Sequence, residues 1–132
     1  MDFTIYRSTS LVEKGSDAYH DIFFAARRNN ARANITGYLH CEDGCFVQYI
    51  EGTTVAVDLV LEKISQDIRH KDLIILASGP IGTRRFGRWD MALVDQELDL
   101  FRNWNNKQDY VPFGQAPIET ILAFFSHHDQ TS

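Results

Sequence analysis

Apolar and polar residues alternate in several short stretches of the chain, and each alternation predicts a β-strand with one buried face. Residues 2–8, 35–41 and 45–50 show this period of two, and a short Glu-Asp-Gly turn joins the last two stretches into a predicted hairpin. The apolar run 73–77 predicts a fourth strand, and the alternation at 88–93 predicts a fifth. The strands therefore come singly or in a pair, with longer segments between them.

The segments between the strands have helical spacing. The stretch Gly15-Ser16-Asp17 offers a cap for a helix that we expect to end near Asn29 and Asn30, and Thr53 or Thr54 is positioned to cap a second helix. The apolar positions of the first helix are Tyr19, Ile22, Phe23 and Ala26, and those of the second are Val57, Val60, Leu61, Ile64 and Ile68. The order β-α-β-β-α-β is that of a ferredoxin-like unit, in which right-handed crossovers bring both helices to one face of the sheet.

The C-terminal region has a different pattern, since it reads as two helices at about 95–104 and 115–126. Their apolar positions, which include Leu98, Phe101, Ile118, Ile121, Leu122 and Phe125, suit a cover for the second face of the sheet. We therefore expect an α+β fold with a five-stranded mixed sheet, two helices on one face and two C-terminal helices on the other. The predicted division is a domain at 1–94 and a helical extension at 95–132.

Composition narrows the functional classes. The net charge of −5 and the pI near 5.4 disfavour a nucleic-acid partner, which requires clustered positive charge. The apolar runs are too short for a membrane span, so we expect a cytoplasmic protein. Cys41 and Cys45 flank the hairpin turn beside His40, but a metal site there would lack a fourth ligand. We therefore expect two reduced thiols and no metal.

The sequence lacks the motifs of several common enzyme classes. There is no Gly-rich phosphate loop, GxSxG elbow or HExxH motif, which disfavours the enzymes that use them. An RNA-recognition sheet is faintly echoed by "GCFVQY", but the acidic charge disfavours it. A colourless domain that binds a small ligand or a protein remains an alternative.

Gln48 is the residue that most needs an explanation. It shares a predicted strand face with Phe46 and Ile50, so its amide should point into apolar surroundings. An unpaired buried amide costs about 1–3 kcal/mol, so we expect a partner for it. The other polar candidates are distributed over elements that meet in a ferredoxin-like fold. They are Tyr6, Asn29, Asn30, Asp67, Arg69 and His70, and Trp89 and Met91 accompany them on the last strand.

Five fragments in this order resemble the BLUF family of blue-light sensors that use a flavin. They are "YRS" at 6–8, "RNNARANITGYL" at 28–39, "GCFVQYIEG" at 44–52, "QDIRH" at 66–70 and "RRFGRWDM" at 84–91. The resemblance implies a ferredoxin-like sheet with non-covalent FAD between its two helices, with FMN and riboflavin as possible substitutes. It also implies a sensor rather than an enzyme.

The resemblance assigns roles to individual residues. Tyr6 and Gln48 become the photoactive pair, in which Gln48 bridges the tyrosine hydroxyl and the flavin N5 and O4. Blue light then drives electron and proton transfer from the tyrosine, and a rearranged hydrogen-bond network gives a red-shifted signalling state. Trp89 and Met91 become relay residues. The implied flavin-binding residues are Ile22, Asn29, Asn30, Gln48, Ile64, Asp67, Arg69 and His70.

Two positions depart from the family pattern, and the resemblance does not identify the protein that receives the signal. Asn34 stands where glycine is usual, and Ala26 stands where serine is frequent. We expect the signal to leave through the last strand, the C-terminal helices or an oligomer interface, towards an unknown protein partner. A homo-oligomer is expected, and direct contact with nucleic acid or a membrane is not.

Overall fold

A computed structural model describes residues 1–87, 92–94, 101 and 113–131. The strands are β1 (Asp2–Ser10), β2 (Thr36–Glu42), β3 (Cys45–Gly52), β4 (His70–Pro80) and β5 (Ala92–Val94). The helices are α1 (Asp17–Arg32), α2 (Thr54–Ser65) and α3 (Ile118–Thr131), and Phe113–Gln115 form a 3-10 turn. In this part of the chain, no helix is long and apolar enough to cross a bilayer.

The sheet has the order β4-β1-β3-β2-β5. The pairs β4-β1, β1-β3 and β3-β2 are antiparallel, and β5 lies parallel to β2. The predicted α+β class is therefore confirmed, and its supported form is an antiparallel four-strand sheet with helices. Gly37 permits the close approach of β2 to β3, because a Cβ atom there would overlap the carbonyl oxygen of Tyr49.

The two faces of the sheet bury separate apolar clusters. On the first face, Tyr19 and Phe23 of α1 and Val57 and Val60 of α2 pack with strand residues that include Phe46. The second face is covered by the C-terminal region, and its buried residues are Ile5, Tyr38, Val47, Tyr49, Phe86, Phe101, Phe113, Ile121, Phe124 and Phe125. The sheet therefore separates two chemically distinct compartments.

The structure corrects the predicted ends of both N-terminal helices. Helix α1 does not end at Asn29 and Asn30 but continues to Arg32, because Asn29 O still accepts a helical bond from Ala33 N at 3.1 Å. The chain turns later, at Asn34, whose φ of 57° is left-handed and suits asparagine. Ile68 is not on the apolar face of α2, since this helix ends at Ser65 and Ile68 is 88% exposed.

The C-terminal region is also corrected in part. The helix predicted at 115–126 is α3, which begins at Ile118 after the 3-10 turn. The carbonyl of Pro117 accepts a bond from Ile121 N, and proline is well tolerated at a helix start because its missing N–H is not needed there. Of the helix predicted at 95–104, only Phe101 is described, and it is buried. Leu98, Trp89 and Met91 lie outside the described residues.

Candidate functional site

A cavity of about 440 Å³ is lined by residues of α1, α2 and the first face of the sheet. Its size falls within the range of roughly 300–1,000 Å³ that is typical of small-molecule sites. The photoactive pair and the flavin-binding residues that the resemblance implies line this cavity: Tyr6, Ile22, Asn29, Asn30, Gln48, Ile64, Asp67, Arg69 and His70. The fold therefore brings together residues that are up to 64 positions apart in the chain.

Sequence reasoning missed much of the apolar lining. Leu39 on β2 and Leu59 on α2 belong to this apolar lining, and Lys63 adds a cation to the cavity wall. Strand register would have identified Leu39, because it pairs with Gln48, but this register requires the folded sheet. The further lining residues are Ala25, Ala26, Ala33, Phe46, Thr53, Val55, Ala56 and Val60.

Gln48 has its expected partner in Tyr6. The two residues are direct neighbours across β1 and β3, and both side chains are buried. The Tyr6 hydroxyl donates to Gln48 Oε1 at 2.5 Å. The amide has a donor end as well as an acceptor end, so Nε2 of Gln48 is suited to a second partner that accepts a hydrogen bond.

The surroundings of Tyr6 keep its phenol protonated. Burial raises the pKa of Tyr6 well above its usual range, and the negative charge of Asp67 raises this pKa further. At neutral pH, Tyr6 is therefore a neutral hydrogen-bond donor in this site.

Asn30 provides the clearest sign that this cavity takes a ligand. Its side chain is 2% exposed, and no described residue is a hydrogen-bond partner of its Nδ2. An unpaired buried amide N–H costs about 1–3 kcal/mol, which a ligand with a carbonyl at this position would recover. The isoalloxazine ring of a flavin carries such carbonyls along one edge, and its flat apolar body fits a lining rich in aliphatic side chains.

Asp67 and Arg69 form an ion pair at the cavity wall. Arg69 Nη2 donates to Asp67 Oδ2 at 2.6 Å, and both Arg69 Nε and the Arg69 backbone N donate to Oδ1 at 2.9 Å. The hydrogen bonds from Arg69 hold the pKa of Asp67 below its usual range. Asp67 thus orients the guanidinium, and Nη1 of Arg69 is not engaged by this carboxylate.

His70 connects three elements beneath the cavity. Its Nε2 donates to the carbonyl of Ile64 at 2.6 Å, and its Nδ1 lies 2.7 Å from Ser8 Oγ. Because a carbonyl only accepts, the Nε2 atom carries a proton, and a neutral ring accepts from Ser8 through Nδ1. His70 therefore links the end of α2 to β1, the strand that carries Tyr6.

The remaining sequence candidates are placed as follows. Ala26, where serine is frequent in the family, lines the cavity without a hydroxyl. Cys41 packs with the first-face cluster and Cys45 with the second-face cluster, and both are free thiols. Burial raises the pKa of Cys41 to about 12, so this thiol stays protonated. The described residues contain no group of three or more side chains suited to a metal ion.

A sequence model described as "BLUF: Sensors of blue-light using FAD" matches residues 1–92. The chain belongs to the BLUF family. Members of this family sense blue light with FAD, and the Tyr6–Gln48 bond and the unpaired Asn30 amide fit that flavin. The BLUF match includes every site residue that lines the cavity and ends just inside β5.

Two longer proteins contain a region that is similar in sequence to this chain. It is 38% identical over 97 residues to "Photoactivated adenylate cyclase subunit alpha" of Euglena gracilis, a match that covers 72% of this chain and 9% of that protein. It is 31% identical over 94 residues to "Blue light- and temperature-regulated antirepressor BluF" of Escherichia coli K12, covering 71% of this chain and 23% of that protein. The matched region is thus a small part of each of these two relatives.

The structure is also similar to solved BLUF structures. One is "BlrB - a BLUF protein, dark state structure", with a TM-score of 0.82 and 28% identity, covering 99% of this chain and 96% of that chain. Another is "BlsA photo-activated state", with a TM-score of 0.77 and 27% identity, covering 96% of this chain and 94% of that chain. Both solved chains are therefore similar in extent to this one.

Proposed function

We propose that this BLUF protein switches its signalling state through Gln48, which exchanges hydrogen bonds between Tyr6 and FAD bound between α1 and α2. The observation that carries the proposal is the Tyr6–Gln48 hydrogen bond, which lies in the lining of a ligand-sized cavity. The family match supports FAD as the ligand. FMN and riboflavin carry the same ring and are therefore expected substitutes.

The proposed binding roles follow from the lining of the cavity. Ile22 and Ile64 line the cavity from the two helices, which supports the proposal that they pack on the flat faces of the ring. Asn30 and Arg69 offer N–H donors to its carbonyl edge, with Asn29 as a neighbouring donor. Asp67 and His70 act indirectly, because Asp67 orients Arg69 and His70 holds the end of α2 against β1.

The proposed switch uses the chemistry of two side chains. FAD, when bound, supplies blue-light absorption and an electron acceptor. Tyr6 is the donor of the electron and proton, since its hydroxyl is hydrogen-bonded and protonated in the dark. Gln48 passes the change on, because rotation or tautomerisation of its amide exchanges donor and acceptor towards each partner.

The proposed output is a change in contacts with a protein partner or a second copy, without catalysis by these residues. Trp89 and Met91 are the proposed relay residues, followed by β5 and the helical extension at 95–132. The names of the cyclase and antirepressor relatives support the view that BLUF sequences control other activities. A homo-oligomer and a cytoplasmic location stay predictions.

Absorption spectra before and after blue light test this proposal. The wild-type protein should be yellow and show a reversible red shift. Tyr6→Phe keeps nearly the same volume, so it should still bind flavin but form no stable red-shifted state, and its flavin fluorescence should rise.

Tyr49→Phe is the matched control, because it removes a hydroxyl from the other face of the adjacent strand. This variant should keep the full red shift. A protein that stays colourless when supplied with FAD, FMN and riboflavin would contradict the proposal. A full reversible shift in Tyr6→Phe would contradict the role of Tyr6.

A further inference from the structure

We infer that Glu51 is a positioning residue for signal output, whose buried carboxylate fastens residues 84–86 to the strand that carries Gln48. The inference rests on the proposed function of Gln48 and adds a route by which its change leaves the site. It gives a role to Glu51 in "GCFVQYIEG" and to the "RRFG" segment at 84–87, neither of which lines the flavin cavity.

The geometry is that of a two-pronged clamp. Glu51 is fully buried, and its Oε1 accepts from Arg85 N at 2.7 Å while Oε2 accepts from Phe86 N at 2.8 Å. Consecutive backbone N–H groups therefore each meet a different oxygen of one carboxylate. Hydrogen bonds to a charged acceptor are about twice as strong as neutral ones, which makes this a firm attachment of a segment without helix or strand structure.

Side chains reinforce the clamp from both sides. Thr36 Oγ1 donates to Glu51 Oε2 at 2.8 Å and itself accepts from Arg84 Nη1 at 2.9 Å. Arg84 Nη2 also donates to the carbonyl of Asn34 at 2.9 Å. The Phe86 ring is buried edge-on against Tyr38 and Tyr49, with centroid separations of 4.8 Å and 5.1 Å. The segment is thus joined to both β2 and β3.

The position of Glu51 makes the clamp suitable for transmission. Gln48 faces the cavity, and Glu51, three residues further along β3, faces the opposite side of the sheet. A shift of β3 that accompanies the rearrangement of Gln48 would therefore move the carboxylate and the 84–86 segment with it. The chain continues from this segment to β5, which pairs with β2 between Tyr38 and His40.

Replacement of Glu51 by glutamine tests the clamp specifically. Glutamine has nearly the same shape, but its NH2 group must face one of the two backbone N–H donors, and two donors cannot bond each other. Glu51→Gln should therefore release one prong. The red shift should persist, because Gln48 and Tyr6 lie on the other face, whereas light-minus-dark differences in hydrogen exchange at β5 and α3 should be lost.

The matched control is Tyr49→Phe, which removes the 3.2 Å hydrogen bond from the Tyr49 hydroxyl to Glu51 Oε1 but leaves both backbone prongs. It should keep the exchange difference. A loss at β5 and α3 in Glu51→Gln, with differences in α1 and α2 preserved, supports the inference. An unchanged difference at β5 and α3 in this variant overturns it, as does a wild-type protein with a red shift but no exchange difference there.

Arg84→Met decides the matter if Glu51→Gln unfolds, loses flavin or already exchanges rapidly at α3 in the dark. It removes the side-chain bonds that hold the segment to β2 and β3 and leaves the carboxylate in place. A reduced exchange difference at β5 and α3 supports the inference, and a full difference overturns it. A wild-type protein without any red shift would instead overturn the proposed function, and this inference with it.

Discussion

The two faces of the sheet solve the problem of buried polar groups in opposite ways. Strand β3 contributes to both faces, with Gln48 on the cavity face and Glu51 on the other. Glu51 receives hydrogen bonds from Thr36, Tyr49, Arg85 and Phe86. On the cavity face, by contrast, Asn30 Nδ2 has no hydrogen-bond partner among the described residues.

The difference indicates what each face is for. On the second face, even the buried His40 is paired, since its Nε2 lies 2.8 Å from Glu42 Oε1, which also accepts from Phe101 N. The chain supplies these partners itself, and the surrounding phenylalanines pack closely, so this face holds the C-terminal region to the sheet. The cavity face keeps donors and space for a flavin, and a strand shared between the faces can connect light absorption to output.

The largest expected effect is on the stability of the second face. Phe124 is fully buried and packs against the rings of Phe101, Phe113 and His40. Phe124→Ala should lower the free energy of unfolding by about 3–5 kcal/mol, measured by urea denaturation of the flavin-bound protein. Phe24→Ala is the control, because Phe24 is 67% exposed, and a loss of similar size there would break the contrast.

A smaller effect is expected on the cavity face, where the Asn30 side chain contributes to flavin binding rather than to folding stability. Asn30→Ala should weaken flavin binding on the order of 5- to 150-fold, because about 1–3 kcal/mol is lost when a flavin carbonyl has no donor. Titration of the flavin-free protein with FAD measures this change. Asn29→Ala should weaken binding less, since Asn29 is only half-buried, and equal losses would remove the special role of Asn30.

The smallest expected effect is that of pH on the switch itself. Because the pKa of Tyr6 is raised by burial and by Asp67, the red shift should keep its amplitude from about pH 7 to about pH 10, the usual tyrosine pKa. Folding stability from this group is present below about pH 10 and is lost as pH rises towards the raised value. Tyr6→Phe should therefore lose less stability than wild type above about pH 10.

A titration of the red shift near neutral pH would contradict this assignment of Tyr6 as the protonated donor. Difference spectra recorded across the range measure it directly, with Tyr49→Phe as the reference for other alkaline effects. The pKa of Tyr49 is also raised, first by burial and then by Glu51, so the comparison separates the two tyrosines.

Sequence patterns predicted the cavity face well because its signals are local. Alternation in residues 45–50 put Gln48 on an apolar face, and the stretch Gly15-Ser16-Asp17 predicted the helix cap that the structure assigns to Ser16. The end of α1 was wrong, because asparagines favour helix ends in isolation, whereas here the backbone bonds continue to Arg32. The direct pairing of Tyr6 with Gln48, 42 residues away, rested on resemblance until the sheet register showed it.

The second face was less predictable for a physical reason. The Glu51 clamp joins positions 34 and 35 residues apart through backbone N–H groups, which every residue except proline carries. Such a contact leaves no side-chain pattern at Arg85 or Phe86. The pairing of His40 with Glu42 follows from strand alternation. The hydrogen bond that Phe101 N donates to Glu42 Oε1, by contrast, depends on the packing of the C-terminal region.

The central claim is that Gln48 connects the buried Tyr6 to the flavin, and a light-minus-dark absorption spectrum of Gln48→Leu tests it most directly. Leucine fills similar space but has no donor or acceptor, so the variant should bind flavin and remain yellow. Under blue light it should show no red shift, while wild type measured in parallel shows a reversible one. A full, reversible red shift in Gln48→Leu would contradict the account.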